Sequence, residues 1–238
     1  MNDTSSSAPG FLCIGHRGAC GHAPENTLKS FALALDMGCP WIELDVYAVE
    51  GELVVIHDDD LRRTTNGRGK VMDSSLSYLR SLDAGDGEQI PLLKEVFDLV
   101  DKRAGINIEL KGPHTAQPVN QLLEQYLDDG WSRDQLLISS FDHEELAMCS
   151  PQYARGALFG RKADRALERS LNLGAWSANL SLRTTTPELV DSLKGAGLNV
   201  LVYTVNDAAD IQAMLDMGVD GVFTDYPDRV FALTGQAQ

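Results

Sequence analysis

The chain has 238 residues, 43% of them hydrophobic and 23% charged, with a formal net charge of -15. That length and composition describe a globular protein of one large domain or two small ones, with core enough to fold without disulfide or metal staples. The acidic balance argues against non-specific binding to nucleic acid or to an anionic membrane surface.

The first nine residues are polar and Ser-rich, and are expected to be disordered. They lack an apolar stretch of the kind a secretory signal needs. Phe11-Leu12-Cys13-Ile14-Gly15 then reads as a short buried strand ending in His16-Arg17-Gly18. Asn26 and Thr27 are good helix caps for a segment with Leu28, Phe31, Leu33 and Leu35 on its apolar positions, closed by Gly38. Trp41-Ile42-Glu43-Leu44-Asp45-Val46-Tyr47 is rich in β-formers and carries two carboxylates at i, i+2. On a strand these point to one side. If the strand is buried, two ionised carboxylates are costly without a cation. If the strand is amphipathic, they lie on its solvated face. A Gly51 turn leads to a second short strand, Leu53-Val54-Val55-Ile56, which stops at His57.

From about 58 to 88 the pattern breaks into turn and loop chemistry, expected as a small insertion over one end of the fold. Pro91 opens a helix to about Arg103, followed by the strand Ile106-Asn107-Ile108-Glu109-Leu110-Lys111. Thereafter strands near 136, 157, 175, 199 and 221 alternate with helices over 117–129, 142–149, 163–172, 187–195 and 207–216. Strands separated by helices of this length are joined by parallel crossovers. Eight such units suit a (β/α)₈ TIM barrel, usually about 250 residues long. The rival, a doubly wound open sheet, lacks its glycine-rich dinucleotide fingerprint here. The whole chain, 1–238, is therefore read as one barrel domain with a small insertion after the second strand.

Barrel active sites lie at the C-terminal ends of the strands. His16 and Arg17, Glu43 and Asp45, His57, and Glu109 and Lys111 all fall at such ends. Three hard oxygen ligands suit Mg²⁺ or Ca²⁺, and Mn²⁺ as well. Two histidines can serve as acid and base near neutral pH. Arg17 and Lys111 can hold a phosphate and neutralise charge developing on it. Together these are the parts of metal-assisted phosphodiester cleavage.

At this point a resemblance emerges. His16-Arg17-Gly18 with Pro24-Glu25-Asn26-Thr27, Glu43-Leu44-Asp45, His57-Asp58 with Leu61, Arg63-Thr64-Thr65 and Gly67, and Glu109-Leu110-Lys111 resemble the glycerophosphodiester phosphodiesterase family. Thr204-Val205-Asn206 and Thr224-Asp225-Tyr226-Pro227 extend the likeness to about Arg229. The resemblance implies a barrel with an insertion after strand two. It implies a divalent metal on Glu43, Asp45 and Glu109, and an acid–base pair in His16 and His57. The implied reaction hydrolyses a glycerophosphodiester to sn-glycerol 3-phosphate and an alcohol, within glycerol and lipid metabolism. His16 is assigned as base and His57 as acid. Tyr203 stands where family members often carry Trp, keeping an aromatic wall whose hydroxyl could alter the alcohol pocket.

Phe141, after Ser139-Ser140, is either a second wall of the substrate site or a core aromatic. Asp58 either caps a turn or orients His57, and Glu109 and Lys111 could instead form a structural ion pair. Trp176 is read as core, His114 and His143 as surface residues, His22 as a surface residue or a substrate contact, Asp225 as a loop-fixing group, and Glu25 as a helix-start charge or a support for the metal shell or His16. Four cysteines without zinc-type spacing read as reduced thiols. No apolar run approaches the ~20 residues that span a bilayer. The expectation is a cytoplasmic enzyme, monomeric or weakly homodimeric, with a small-molecule substrate and neither nucleic acid nor membrane as partner. Rival readings are a related lipid-cleaving phosphodiesterase and a non-catalytic metabolite-binding module on the same scaffold.

Overall fold

The computed structural model describes residues 10–235, so the expectation of a disordered N-terminus lies outside the described residues. In chain order the elements are β1 Leu12–Gly15, α1 Leu28–Asp36, β2 Trp41–Val49, β3 Glu52–Val55, α2 Leu76–Leu79, α3 Leu93–Val100, β4 Gly105–Leu110, α4 Ala116–Asp128, β5 Leu136–Ser140 and α5 His143–Ala147. They continue with β6 Ala154–Phe159, α6 Ala166–Asn172, β7 Ser177–Ser181, α7 Pro187–Gly195, β8 Asn199–Tyr203, α8 Ala208–Met217, β9 Gly221–Thr224 and α9 Pro227–Thr234. Strands β1, β2 and β4 to β9 pair in parallel in that order, and β9 returns to β1. The result is a closed eight-stranded (β/α)₈ barrel. A closed barrel leaves no free strand edge among these eight.

Alternation along each strand divides the core. Ile42, Leu44 and Val46 of β2 and Ile106, Ile108 and Leu110 of β4 belong to the large apolar layer under the helices. Ile14, Leu137, Leu201 and Phe223 form a smaller cluster with Trp41, on the opposite faces of their strands. The barrel axis is thus apolar low down, and Glu43, Asp45, Asn107 and Glu109 continue the same inward face upward. The interior packing beneath them fixes the height and direction of those side chains.

The ninth strand, β3, runs antiparallel on the upper half of β2, with Val46 opposite Val55 and Val49 opposite Glu52. The two turn residues Glu50 and Gly51 both take positive φ, 50° and 84°, as a tight two-residue hairpin turn requires. The stretch after β3 is more than loop. Leu61, Val71, Leu79, Leu82 and Ile90 pack with Tyr47, Val49 and Val54 in an apolar cluster of their own.

Local signals explain most boundaries. Thr27 caps α1, its Oγ1 accepting from Ser30 N at 3.2 Å. The helix expected from Pro91 to Arg103 is shorter at both ends. Glu95 turns back to accept from Leu92 N at 2.7 Å, and Asp101 leaves the helix at φ 43°. Trp176, read as core, instead lies just before β7 and is 38% exposed at the barrel's lower end.

Candidate active site

At the upper rim, β1 ends at Gly15 and the chain turns sharply through Arg17 at φ 51°. The turn aims the backbone N–H of Arg17 at Glu43 Oε2, 2.9 Å away. The Arg17 guanidinium donates to Glu25 Oε1 at 2.7 Å and lies 3.4 Å from Asp45 Oδ2. Glu25 is therefore no simple helix-start charge. Its second partner is Arg63, which also holds Asp58, with Nε to Oδ2 at 2.5 Å. Asp58 in turn accepts from His57 Nδ1 at 2.5 Å. Of the two roles open to Asp58, the structure places it on the imidazole.

His16 is held from the far end of the chain. Its Nδ1 donates to Asp225 Oδ1 at 2.6 Å, and Asn206 Nδ2 donates to Asp225 Oδ2 at 2.7 Å. The closure of β9 onto β1 makes this contact, since His16 N also donates to Thr224 O at 2.9 Å. Asp225 thus fixes the ring as well as its own loop. Burial works against its ionisation, but the hydrogen bonds from His16, Cys20 and Asn206 bring its pKa down to about 2. An ionised acceptor calls for a proton on His16 Nδ1, so in the neutral ring Nε2 is the accepting nitrogen.

Glu43 and Asp45 are 2% and 1% exposed, so the solvated-face reading of β2 does not hold. One carboxylate oxygen each of Glu43, Asp45 and Glu109 lie within 4.8 Å of one another. Burial, then the charges of Asp45 and Glu109, push the Glu43 pKa well above the carboxylate range. Burial and Asp45 likewise raise Glu109, to about 7. Asp45 is the exception. Burial pushes it up too, but Arg17, Lys111, His57 and a hydrogen bond from Asn26 together leave it below its ordinary value. Glu43 Oε1 and Asp45 Oδ1 are buried without any hydrogen-bond partner. Such orphaned acceptors are expensive unless a cation faces them. An all-oxygen set of this kind fits a hard divalent ion, and Asn107 Oδ1, also buried and unpartnered, adds a neutral oxygen beside it.

Lys111 Nζ sits 2.8 Å from Glu109 Oε1 and 3.7 Å from Asp45 Oδ1. Burial opposes its charge, but these carboxylates raise its pKa, so it is cationic. The His57 pKa is lowered, chiefly by burial with Arg17 and Lys111 adding to it, against the opposing pull of Asp45 and Asp58.

A cavity opens over Glu43 and Glu109, bordered by His16, Asn107, Phe141 and Tyr203. Phe141 is 48% exposed and not a core aromatic; it meets Tyr203 edge-on at 5.9 Å and stands 5.9 Å from Lys111 Nζ. The Tyr203 hydroxyl is committed elsewhere, donating to Phe159 O at 2.8 Å, so the ring alone faces the cavity.

All nine residues singled out in the sequence thus gather at one end of the barrel. Asn26, Asn107, Asn206, Arg63 and Asp225 complete the network, and sequence reading gave none of them a place in the site. For Asn107 a signal existed, since it shares the inward face of β4 with Glu109 two residues on. His143 is expected at the surface from the sequence alone. It is half-buried, with Nε2 on Leu158 O at 3.1 Å and its ring against Phe159.

The chain is similar over most of its length to known proteins. The model of the "Glycerophosphoryl diester phosphodiesterase family" matches residues 16–229. A glycerophosphodiester phosphodiesterase of Caldanaerobacter subterraneus is 35% identical, over 93% of this chain and 97% of that protein. One from Bacillus subtilis is 34% identical, over 91% and 84%. The structure of an Oleispira antarctica phosphodiesterase in complex with the product sn-glycerol-3-phosphate superimposes with a TM-score of 0.86 at 32% identity, covering 94% of this chain and 97% of that one.

Proposed function

The chain belongs to the glycerophosphoryl diester phosphodiesterase family and is a phosphoric diester hydrolase, and from that premise we propose a specific reaction. The substrate is a small glycerophosphodiester such as glycerophosphocholine, and the products are sn-glycerol 3-phosphate and an alcohol. The observation that carries this reading is the packing of Glu43, Asp45 and Glu109, with two orphaned oxygens, directly beneath the rim that holds both histidines. The product-bound state of the Oleispira relative supports the choice of sn-glycerol 3-phosphate.

In this reading Glu43, Asp45 and Glu109 hold one divalent cation, Mg²⁺, Ca²⁺ or Mn²⁺. When bound, it supplies positive charge to a non-bridging phosphoryl oxygen. Arg17 and Lys111 bind the phosphate from two sides and offset charge as it grows. His16, with Asp225 fixing its tautomer, takes the proton of the nucleophile at Nε2. The nucleophile is water, or the neighbouring glycerol hydroxyl with a cyclic phosphate to follow; either needs the same base. His57, steadied by Asp58, gives its proton to the leaving alkoxide. Its depressed pKa makes the protonated ring a stronger acid. Phe141 and the ring of Tyr203 wall the alcohol group. Asn26 holds Asp45 from behind, and Arg63 ties the His57–Asp58 pair to Glu25 and so to Arg17.

The same reading treats 1–238 as one catalytic domain, with residues 58–88 forming an insertion over the mouth. It places the enzyme in the cytoplasm as a monomer or weak homodimer. Free cysteines and a net charge of -15 support a reducing, non-membrane setting, and among the described residues no helix is long and apolar enough to cross a membrane. The test is a substrate panel: glycerophosphocholine, glycerophosphoethanolamine and a lysophospholipid, with products identified by ³¹P NMR. Preference for the two water-soluble diesters supports the proposal. Turnover of the lysophospholipid alone would overturn the substrate assignment.

A further inference from the structure

Cys20 lies in the loop after β1, beside the His16–Asp225 pair. Its Sγ is 3.0 Å from Asp225 Oδ1, the same oxygen that accepts from His16 Nδ1 at 2.6 Å. One ligand atom each of His16, Cys20 and Asp225 fall within 4.8 Å of one another, and all three residues are only partly buried. The other Asp225 oxygen is anchored by Asn206 Nδ2 at 2.7 Å, and Asn206 Oδ1 accepts from Asp225 N at 2.9 Å. The carboxylate is therefore fixed from behind in the way that outer partners fix metal ligands.

This donor set differs in kind from the carboxylate cluster below it. Three oxygens suit Mg²⁺ or Ca²⁺, whereas imidazole nitrogen, thiolate sulfur and one carboxylate oxygen suit Zn²⁺ and its softer relatives. We propose that His16, Cys20 and Asp225 form a second cation site, selective for zinc-class ions, whose occupation switches the enzyme off.

Bonds of about 2.0–2.3 Å to N, O and S require only that the three ligand atoms spread by a few tenths of an ångström to about one ångström around the ion. Water takes the fourth position. Binding breaks the Cys20 S–H bond, and that proton leaves to solvent. The proton on His16 Nδ1 gives way to the ion and moves to Nε2, so one proton is released overall. His16 Nε2 then carries a hydrogen and has no lone pair with which to accept another. Inhibition therefore rests on the reading of His16 as the base, while binding does not. Without the ion, burial and the bond to Asp225 keep Cys20 a protonated thiol.

The experiment uses the purified protein in saturating Mg²⁺. Zn²⁺ is titrated against glycerophosphocholine hydrolysis in the wild type and in Cys20→Ser, where the hydroxyl retains a donor to Asp225. In parallel, Co²⁺ binding is followed in the near ultraviolet, where a thiolate ligand gives a charge-transfer band. The wild type is expected to lose activity with Zn²⁺ and to show the band. Cys20→Ser is expected to keep its basal activity, lack the band and need at least about tenfold more Zn²⁺. Cys13, Cys39 and Cys149 are buried, so a band that vanishes in this variant comes from Cys20. Equal zinc sensitivity of the two proteins, or no cobalt–sulfur band in the wild type, would overturn the site. A Cys20-dependent band without inhibition would overturn the switch. Absence of hydrolysis without any Zn²⁺ would strike the proposed reaction instead, and the band would still judge the site.

Discussion

Asn26 offers a demanding test of how the carboxylate cluster is held. It is 3% exposed, sits at φ 56° and donates from Nδ2 to Asp45 Oδ2 at 2.9 Å. That bond is one of the groups that keep Asp45 ionised despite its burial. Asn26→Ala removes a hydrogen bond to a charged acceptor, worth about 1.5–3 kcal/mol. It also places Ala in the left-handed region, which Asn tolerates better, at about 1–2 kcal/mol. A loss of about 2.5–5 kcal/mol is expected in urea unfolding with EDTA present. Asn26→Gly separates the two causes. Glycine accepts the backbone angle, so it should lose less than the Ala variant while still lacking the bond to Asp45. Both variants should also bind Mg²⁺ about 10–100-fold more weakly by calorimetric titration, because Asp45 is no longer oriented. An Ala variant that loses under about 1 kcal/mol and binds Mg²⁺ normally would refute the claim that Asn26 positions Asp45.

Three further outcomes follow from the same geometry. Glu43 and Glu109 have folded pKa values above those of the unfolded chain, so the metal-free fold loses stability as pH rises from about 4.5 through 7. Because protons compete with the cation on these groups, the rise in Tm on adding Mg²⁺ should be larger at pH 8 than at pH 6, and an equal rise at both would count against the carboxylate site. Asp58→Asn removes a partner that raises the His57 pKa. If His57 is the acid, the alkaline limb of the kcat/KM profile should move to lower pH, and an unmoved limb would remove His57 from that role. Phe141→Ala, at an exposed position, should change stability by less than about 0.5 kcal/mol yet raise KM for glycerophosphocholine several-fold; unchanged kinetics would show that Phe141 does not wall the alcohol.

What the sequence revealed depended on whether the information was local. Period-two alternation was enough to put Glu43 beside Asp45 on one face of β2, and their apolar neighbours Ile42, Leu44 and Val46 signalled burial. Helices with local caps, such as α7 behind Thr186 and Pro187, fell where expected. The clamps around the histidines were not legible in the same way. Asp225 reaches His16 across nearly the whole chain, and only the closure of β9 on β1 brings them together. Arg63 meets Glu25 because the segment after β3 folds back against the loop after β1, a packing its loop-like composition concealed. Trp176 and His143 failed for a related reason. A large aromatic near a strand suggested core, and an isolated histidine suggested surface. Position just outside β7 exposes the first, while packing on Phe159 covers the second.

The most direct test of the account is release of sn-glycerol 3-phosphate from glycerophosphocholine by the purified protein. It is measured with Mg²⁺ or Ca²⁺ and with EDTA, in the wild type, His16→Ala and Glu43→Ala. The account predicts release that requires the cation and that falls by at least about 100-fold in either variant. Release that survives both EDTA and Glu43→Ala would contradict the metal site from which the proposed chemistry is built.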